Sequence, residues 1–310
     1  MKVYDIAIVG AGAAGMTAAL YALRAHKTVI IFEQTTFGGQ IINTHKIENY
    51  PAAPSISGVD FAKNLKTQVE SFGGEFEFSS AEKIDKTPEG FKIFTSDNKT
   101  FLSKTVILAN GSAERRLGLD GEERLIGRGI SYCATCDGGF FKDKIVAVYG
   151  GGNTALYSAL YLANIAKTVF LIIRRDKFRA EPHLVKAAES TKNIEIVKNS
   201  IISSLSGDER LTAITLSVTD PKTSKKTERF LPLDGLFVSI GRVPNNEIFK
   251  NLVTLDEQGY IKSDESCQTS TPGVFCAGDT RAKTLHQLVT ATSDGAVAAT
   301  AAIEFLNSAQ

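Results

Sequence analysis

Cys133-Ala134-Thr135-Cys136-Asp137 is the stretch whose residue types and spacing point most directly to chemistry. Two cysteines separated by two residues close a small disulfide ring that reopens reversibly, as thiol–disulfide exchange requires. Asp137 follows the second sulfur directly and is a candidate proton carrier for that exchange. Plainer uses of the pair fit less well. Half of a zinc site needs two more Cys or His nearby; the nearest downstream histidine is His183, with no second pair behind it, so no metal is expected. A purely structural disulfide would close too short a loop to remove much entropy from the unfolded chain. Of the other cysteines, Cys276 lies in an apolar run and reads as a packed small hydrophobe. Cys267 lies in a polar segment, and nothing marks it as activated.

The elements around the pair read as two copies of one nucleotide-binding unit. Asp5 to Val9 is a short apolar run of the buried parallel-strand type. Gly10-Ala11-Gly12-Ala13-Ala14-Gly15 follows, then an amphipathic helix over Met16–Arg24 and a second apolar run, Thr28 to Phe32, ending in Glu33. Strand, glycine turn, helix, strand and acid form the complete dinucleotide fingerprint. Gly10, Gly12 and Gly15 permit the tight turn and close backbone approach to a pyrophosphate, with Ala13 and Ala14 between them. The helix N-terminus offers unpaired N–H groups to the phosphate, and Glu33 can accept hydrogen bonds from a ribose. The second copy begins at Asp143 to Tyr149, turns at Gly150-Gly151-Gly152-Asn153-Thr154-Ala155, continues as a helix over Leu156–Ala163 and returns as a strand over Thr168–Ile173. Gly150, Gly152, Asn153 and Thr154 are its phosphate-turn candidates. Where the first copy has Glu33, the second has Ile173 followed by Arg174-Arg175, with Arg179 close behind. An acid at that place suits a free ribose hydroxyl, whereas arginine suits a ribose 2′-phosphate, so the second site should prefer NADP to NAD.

Between and after these units stand weaker candidates. Gly39 can bring backbone close to a ligand, and Gln40 and Asn49 carry amides suited to a flavin or ribityl edge, although both stretches also read as ordinary loops. A helix is expected over Gly58–Phe72, β-rich chain over Phe76–Phe101, and a buried strand over Thr105–Gly111 that ends in Gly111. The strand Thr271–Asp279 ends in a carboxylate placed to hold a ribityl or ribose hydroxyl. A helix over Leu285–Leu306 carries His286 and Gln287 in its first turn. His26, His45 and His183 lack partners at ligand spacing and read as surface or satisfied residues.

The bulk composition excludes several classes. The 310 residues suffice for two domains, and 43% hydrophobic with 22% charged content is a globular profile. A net charge of +1 leaves no nucleic-acid footprint. No apolar run approaches a membrane span. Four cysteines are too few for a secreted disulfide scaffold and fit a reducing compartment. Met1-Lys2-Val3-Tyr4-Asp5 enters a strand at once and leaves no room for a signal peptide, so a cytoplasmic enzyme is expected.

These elements occur in one order: first fingerprint, cysteine pair, second fingerprint, then a strand ending Gly278-Asp279. In that order the chain resembles the low-molecular-weight, bacterial-type thioredoxin reductases along essentially its whole length. The most specific residues are Gly127 to Asp137, Gly150 to Ala155 and Arg174 to Ala180, with Glu48-Asn49-Tyr50-Pro51 and Gly278-Asp279 also matching. The resemblance implies an α/β fold of two Rossmann-like dinucleotide-binding domains of the three-layer ββα type. The NADPH domain, residues 117–245 with the cysteine pair, would be inserted into a discontinuous FAD domain of residues 1–116 and 246–310. It further implies a homodimer, a flavin contact at His286-Gln287, and thioredoxin or a thioredoxin- or glutaredoxin-like protein as partner. Cys136 would face the flavin, Cys133 would attack the partner, and Asp137 would act as general acid or base. The chain departs from the family pattern at Ile173 (usually His), Tyr157-Ser158 (usually two Glu), Asn110 (usually Thr) and His286 (usually Arg).

The activity so implied is NADPH-dependent reduction of thioredoxin disulfide through FAD. Because nicotinamide and disulfide would share one domain and one flavin, a rotation is expected about Arg116–Gly121 and Gly241–Asn245. Relatives that draw electrons from ferredoxin or a reduced flavin, and flavin dithiol oxidases, are rivals that typically lose the arginine pair kept here. A nucleotide-binding sensor or scaffold would leave the cysteine pair and Asp137 without a role.

Overall fold

The structure is a computed structural model that describes residues 2–308 apart from His45 and Pro54. His45, read as a surface residue, thus lies outside the described residues. The chain divides into two units. The terminal unit comprises Met1–Ala113 and Val243–Gln310, and the central unit comprises Glu114–Arg242. The sequence reading divides the chain three residues later at each crossing. At the crossings the short strands Ser112–Glu114 and Arg242–Pro244 pair as a two-stranded ribbon.

The terminal unit is built on a seven-stranded sheet. Strands Glu75–Glu77, Val29–Phe32, Val3–Val9, Thr100–Leu108 and Val274–Cys276 run parallel, with Ile6 opposite Val29 and Val9 opposite Leu108. Strand Thr100–Leu108 is long enough to serve two partners. Its first half pairs antiparallel with Gly90–Thr95, which pairs in turn with Ala81–Thr87. Alternation along the first strand explains the layering. Ile6 and Ile8 pack with the helices Ala13–Arg24 and Leu288–Ser308, whereas Ala7 and Val9 pack with Ile84, Phe91 and Ile93 of the antiparallel strands. Both faces are therefore covered, which is why the strand reads as an unbroken apolar run. This is the expected three-layer arrangement.

The central unit repeats the plan with fewer strands. Its five-stranded parallel sheet runs in the order Ile194–Val197, Thr168–Ile172, Ile145–Tyr149, Gly235–Val238, Ile130–Ser131. Val146 and Val148 face the helices Asn153–Ala163 and Pro182–Ser190, and Ala147 and Tyr149 face a three-stranded antiparallel sheet over residues 200–232. Among the described residues no helix is long and apolar enough to cross a membrane, and no cluster of three or more His, Cys, Asp or Glu could hold a metal ion.

Element boundaries differ from the sequence reading where glycine turns and caps decide them. Both phosphate-turn helices start directly after the turn glycine, at Ala13 and Asn153, three residues earlier than read from apolar periodicity. The last helix starts at Leu288 rather than Leu285. Thr290 Oγ1 accepts the Gln287 N–H at 3.1 Å and Ala291 N–H reaches Gln287 O at 2.9 Å, so Gln287 closes the lead-in and His286 precedes the helix. The helix over Gly58–Ser71 opens with Ser57 accepting the Asp60 N–H at 3.0 Å.

The two helices that cover the terminal sheet meet at Gly295, where an added Cβ would fall inside the Ala14 carbonyl oxygen. Gly295→Ala should lower stability by about 1–3 kcal/mol, the range for overpacking a well-packed contact. In the ligand-free protein Gly12→Ala, which meets nothing within 4 Å, should change stability by less than about 0.5 kcal/mol. Urea titration followed by circular dichroism measures both.

Candidate functional site

Cys133 and Cys136 are joined by a disulfide, with Cα atoms 5.3 Å apart. A single helical turn, Ala134–Asp137, begins at Cys133, whose Sγ accepts the Cys136 N–H at 3.2 Å. That donor favours negative charge on Cys133 once the bond opens. Cys133 N–H is held by Ser131 Oγ at 3.0 Å, and the same hydroxyl donates to Cys133 O at 3.2 Å. Cys133 is half-buried and Cys136 exposed. Asp137 is half-buried, its N–H closing on Cys133 O at 3.2 Å.

Glu122 buttresses this segment and was not singled out from sequence. It is 3% exposed, and its carboxylate accepts Leu117 and Gly118 N–H at 2.8 Å each together with the Tyr132 hydroxyl. Arg116 lies over the Tyr132 ring, 4.6 Å from its centre. Burial, with the Glu122 hydrogen bond, pushes the Tyr132 hydroxyl up to about 12. Tyr132, the residue before Cys133, is thereby held in its protonated form. Nothing in Gly121-Glu122-Glu123 signals that one glutamate turns inward.

In the terminal unit the candidates gather at the C-terminal ends of the parallel strands, where ligands of such sheets bind. Gly10 has φ +106°, and a Cβ there would strike the Ala109 carbonyl oxygen; at Gly15 it would strike the Gly10 carbonyl. Gly12 faces open space, leaving a bare stretch of backbone. Glu33 leans over the turn, accepting Ala11 N–H at 2.9 Å and Thr35 N–H at 3.0 Å. Gly38 N–H reaches Ala11 O at 2.7 Å, and a Cβ on Gly39 would lie 3.2 Å from Gly12 Cα, which seats Gly39 and Gln40 beside the turn. Asn49 donates to Gln287 at 3.1 Å, uniting two candidates 238 positions apart. Gly111 faces open space. Strand Val274–Cys276 leads into the turn Gly278–Thr280, which carries Asp279 and touches Ala14 at Gly278.

Asp279 Oδ1 and His286 Nε2 are buried without a hydrogen-bond partner among the described residues. Buried polar atoms are nearly always satisfied. Two such orphans, one of them in the turn that meets Ala14 at Gly278, fit a polar ligand with groups to hydrogen-bond. His286 also packs its ring 5.2 Å from that of Tyr260.

In the central unit Gly150 cannot carry a Cβ because of the Ser239 carbonyl, and Gly152 faces open space. Arg179 N–H donates to Gly151 O at 2.7 Å, bringing the arginine segment to the turn. Arg174, Arg175 and Arg179 are exposed, and no hydrogen bond or ion pair engages their guanidinium groups among the described residues. Thr154 is exposed as well. Asn153 differs: its amide is committed to Glu181, through Nδ2 to the carboxylate at 2.8 Å and Oδ1 from the N–H at 2.8 Å. Ile173 is buried at 2% exposure. His183 lies 3.4 Å from the Glu181 carboxylate and so has a partner that spacing did not reveal.

The remaining thiols are inert by environment. Cys276 is fully buried, as expected of a packed strand residue. Cys267, read as part of a polar segment, is also fully buried, with Sγ 3.2 Å from Arg281 Nη1. Burial pushes Cys267 up to about 12 and Cys276 up to about 11. The same cluster holds Asp294, which accepts from Arg281 at 2.8 Å, Lys283 at 2.7 Å and the Gly278 N–H at 3.0 Å.

The sequence matches the family described as pyridine nucleotide-disulphide oxidoreductase over residues 4–295. The thioredoxin reductase of Listeria innocua is 41% identical over 298 residues, covering 96% of this chain and 92% of that protein. Among solved structures, Lactococcus lactis thioredoxin reductase superposes with a TM-score of 0.91 at 36% identity, covering 98% of this chain and 99% of that one. T. acidophilum thioredoxin reductase superposes with a TM-score of 0.89 at 34% identity, covering 100% of both chains.

Thiol titration checks the environments. The native oxidised protein should expose no reactive thiol at about pH 8, the dithiothreitol-reduced protein two, and the reduced, unfolded protein all four. Both buried thiols hold their protons above the ordinary 9.0. The unfolded chain therefore binds fewer protons above that pH, and stability should fall as pH rises from about 9 toward 11 and 12.

Proposed function

The chain belongs to the pyridine nucleotide-disulphide oxidoreductase family, with thioredoxin reductases as its near relatives, and we propose that it passes electrons from NADPH through FAD and the Cys133–Cys136 disulfide to oxidised thioredoxin. It is an oxidoreductase that uses a flavin and a pyridine nucleotide. The observation that carries the reading is the closed Cys133–Cys136 disulfide in the unit that also presents three unpaired arginines beside a glycine turn.

The terminal unit would hold FAD. Its pyrophosphate would lie against the bare Gly10–Gly15 backbone and the helix N-terminus, an adenosine ribose at Glu33, and flavin-side hydroxyls at Asp279, with Gly39, Gln40, Asn49, Gly111, His286 and Gln287 around the remainder. The central unit would hold NADPH over Gly150, Gly152 and Thr154, with Arg174, Arg175 and Arg179 on the 2′-phosphate. Asn153 would contribute by fixing Glu181 and the start of the following helix through its amide, rather than by offering that amide to the nucleotide. When bound, the two cofactors supply hydride transfer and a pair of electrons for the disulfide.

Those electrons open the S–S bond and leave Cys133 as thiolate and Cys136 as thiol, with one proton taken up. Cys133 then attacks one sulfur of the partner's disulfide and displaces the other as thiolate. Cys136 attacks the mixed disulfide, reforms the Cys133–Cys136 bond and releases the reduced partner. Asp137 moves the protons, directly or through water. Exposure alone favours Cys136 as the attacking sulfur. The N–H donor on Cys133 argues for Cys133, because the thiolate is the nucleophile. Phe140, 76% exposed and close along the chain, offers the partner an apolar foothold. The reading also carries the rotation expected about Arg116–Gly121 and Gly241–Asn245, a homodimer and a cytoplasmic setting.

Cys133→Ser and Cys136→Ser should each abolish thioredoxin reduction while leaving NADPH-dependent bleaching of the flavin intact. Only Cys136→Ser, which keeps Cys133, should trap a mixed disulfide with thioredoxin on a non-reducing gel; trapping by the other variant would reverse the two roles.

Coupled turnover with thioredoxin tests the donor. NADPH should exceed NADH in kcat/KM, and removing one arginine contact should cost about 1.5–3 kcal/mol, roughly ten- to a hundred-fold, for NADPH alone. Equal kcat/KM for the two nucleotides would refute the assignment. A flavin that NADPH does not bleach would favour ferredoxin or reduced flavin as donor.

A further inference from the structure

The turn that carries Asp279 is clamped from both ends by groups outside the sequence motifs. Asn246 is 0% exposed, and both ends of its amide are engaged. Its Oδ1 accepts from Asn110 Nδ2 at 3.0 Å and from the Thr280 hydroxyl at 2.5 Å. Its Nδ2 donates to Gly259 O and to Thr280 O, each at 2.9 Å. Thr280 is also 0% exposed, and its hydroxyl lies 3.1 Å from Asn110 Oδ1 as well. Asn110 Nδ2 reaches Asn245 O at 3.0 Å. Three side chains from the end of a central strand, the segment after the crossing ribbon and the Asp279 turn thus form one satisfied network. At the other end of the turn, Gly278 N–H is held by Asp294.

Between these anchors stands Asp279, whose Oδ1 is buried and unpartnered among the described residues. Burying three polar side chains is unfavourable unless every group finds a partner, and apolar residues would fill the same space without that demand. What the amide adds is orientation. The Asn246 bond to Thr280 O fixes the peptide plane that follows Thr280, one residue beyond Asp279, and the hydroxyl bond fixes the Thr280 side chain next to Asp279. The direction of the Asp279 carboxylate follows from both.

We propose that Asn246, acting with Asn110 and Thr280, is a positioning residue that aims the Asp279 carboxylate at the flavin cofactor. The proposal rests on the reading that Asp279 holds a cofactor hydroxyl, and it assigns the departure Asn110 a role in that hold.

The test is flavin release from the diluted holoenzyme, followed by recovery of free-flavin fluorescence, in Asp279→Ala, Asn246→Ala, Thr280→Val, Thr280→Ser and the double variant Asp279→Ala/Asn246→Ala. Asp279→Ala should raise the flavin dissociation constant. Asn246→Ala and Thr280→Val should each raise it roughly ten-fold, as loss of buried hydrogen bonds does. Thr280→Ser, which keeps the hydroxyl, should restore tight binding. The double variant should be no weaker than Asp279→Ala alone, because a group that acts through Asp279 has nothing left to aim. Should Asn246→Ala fail to fold, the Thr280→Val and Thr280→Ser pair carries the comparison with its smaller change. Unchanged release from Asp279→Ala would overturn the reading of Asp279. Weakened binding in Asp279→Ala with unchanged binding in Thr280→Val, or additive losses in the double variant, would overturn the positioning role instead.

Discussion

A main-chain contact without room for a side chain governs both nucleotide-binding units. At Gly15 the helix backbone rests against the Gly10 carbonyl, and Gly10 rests against Ala109 at the end of the neighbouring strand. Strand end, helix start and second strand end therefore meet backbone to backbone. This seats a helix N-terminus, with its unpaired N–H groups, at the C-terminal edge of the sheet. The central unit meets the same constraint with other residues. Gly150 rests against Ser239, while Ala155 stands where the first unit has Gly15 and is fully buried. The first glycine of each turn is thus demanded by the strand beside it. The last is demanded only where the helix lies on the turn carbonyl, so the second copy satisfies the same function with an alanine.

The disulfide stands outside this repeated frame and needs its own support. A buried carboxylate is tolerated only when several donors surround it, and Glu122 has two amides and a phenol. It joins the segment 117–122 to Tyr132, while Ser131 holds Cys133 through its main chain. Neither anchor uses a sulfur. The pair can therefore change bonding partners while its backbone stays fixed. Exposed ion pairs such as Lys83–Asp85 at 2.7 Å contribute little by comparison; the polar groups that matter to the shape of the site are the buried ones.

Both fingerprints, the cysteine pair and the covered sheets were legible in the sequence, since each rests on local pattern: short unbroken apolar runs for the strands, glycines at fixed intervals, two sulfurs one turn apart. Helix starts were read late because the glycine turn itself supplies the first helical residues after Gly12 and Gly152. The lead-in at His286-Gln287 was misplaced because Thr290, a residue inside the apolar pattern, supplies the cap. Glu122, Asn246 and Asp294 were invisible for a different reason. Each is held by main-chain groups, which have no residue type to read, together with side chains that only the fold brings close. Cys267 belongs with them, since its polar neighbours in sequence gave no sign that Arg281 and Asp294 enclose it.

Hydrogen-bond saturation separates the residues that hold the fold from those left free to act. Asn153 stands in a phosphate turn, yet both ends of its amide are occupied by Glu181. Asn246 and Glu122 are likewise filled. Among the described residues, the groups left open at the candidate sites include Asp279 Oδ1, His286 Nε2 and the three guanidinium groups at positions 174, 175 and 179. An open buried atom costs about 1–3 kcal/mol that the fold must carry until a ligand arrives, whereas an open exposed arginine costs almost nothing because water serves it. The two binding regions therefore differ in kind. In the proposed function, the buried unpaired atoms of the terminal region would gain partners from a resident cofactor, and the exposed arginines of the central region would suit a nucleotide that binds and leaves in every turnover.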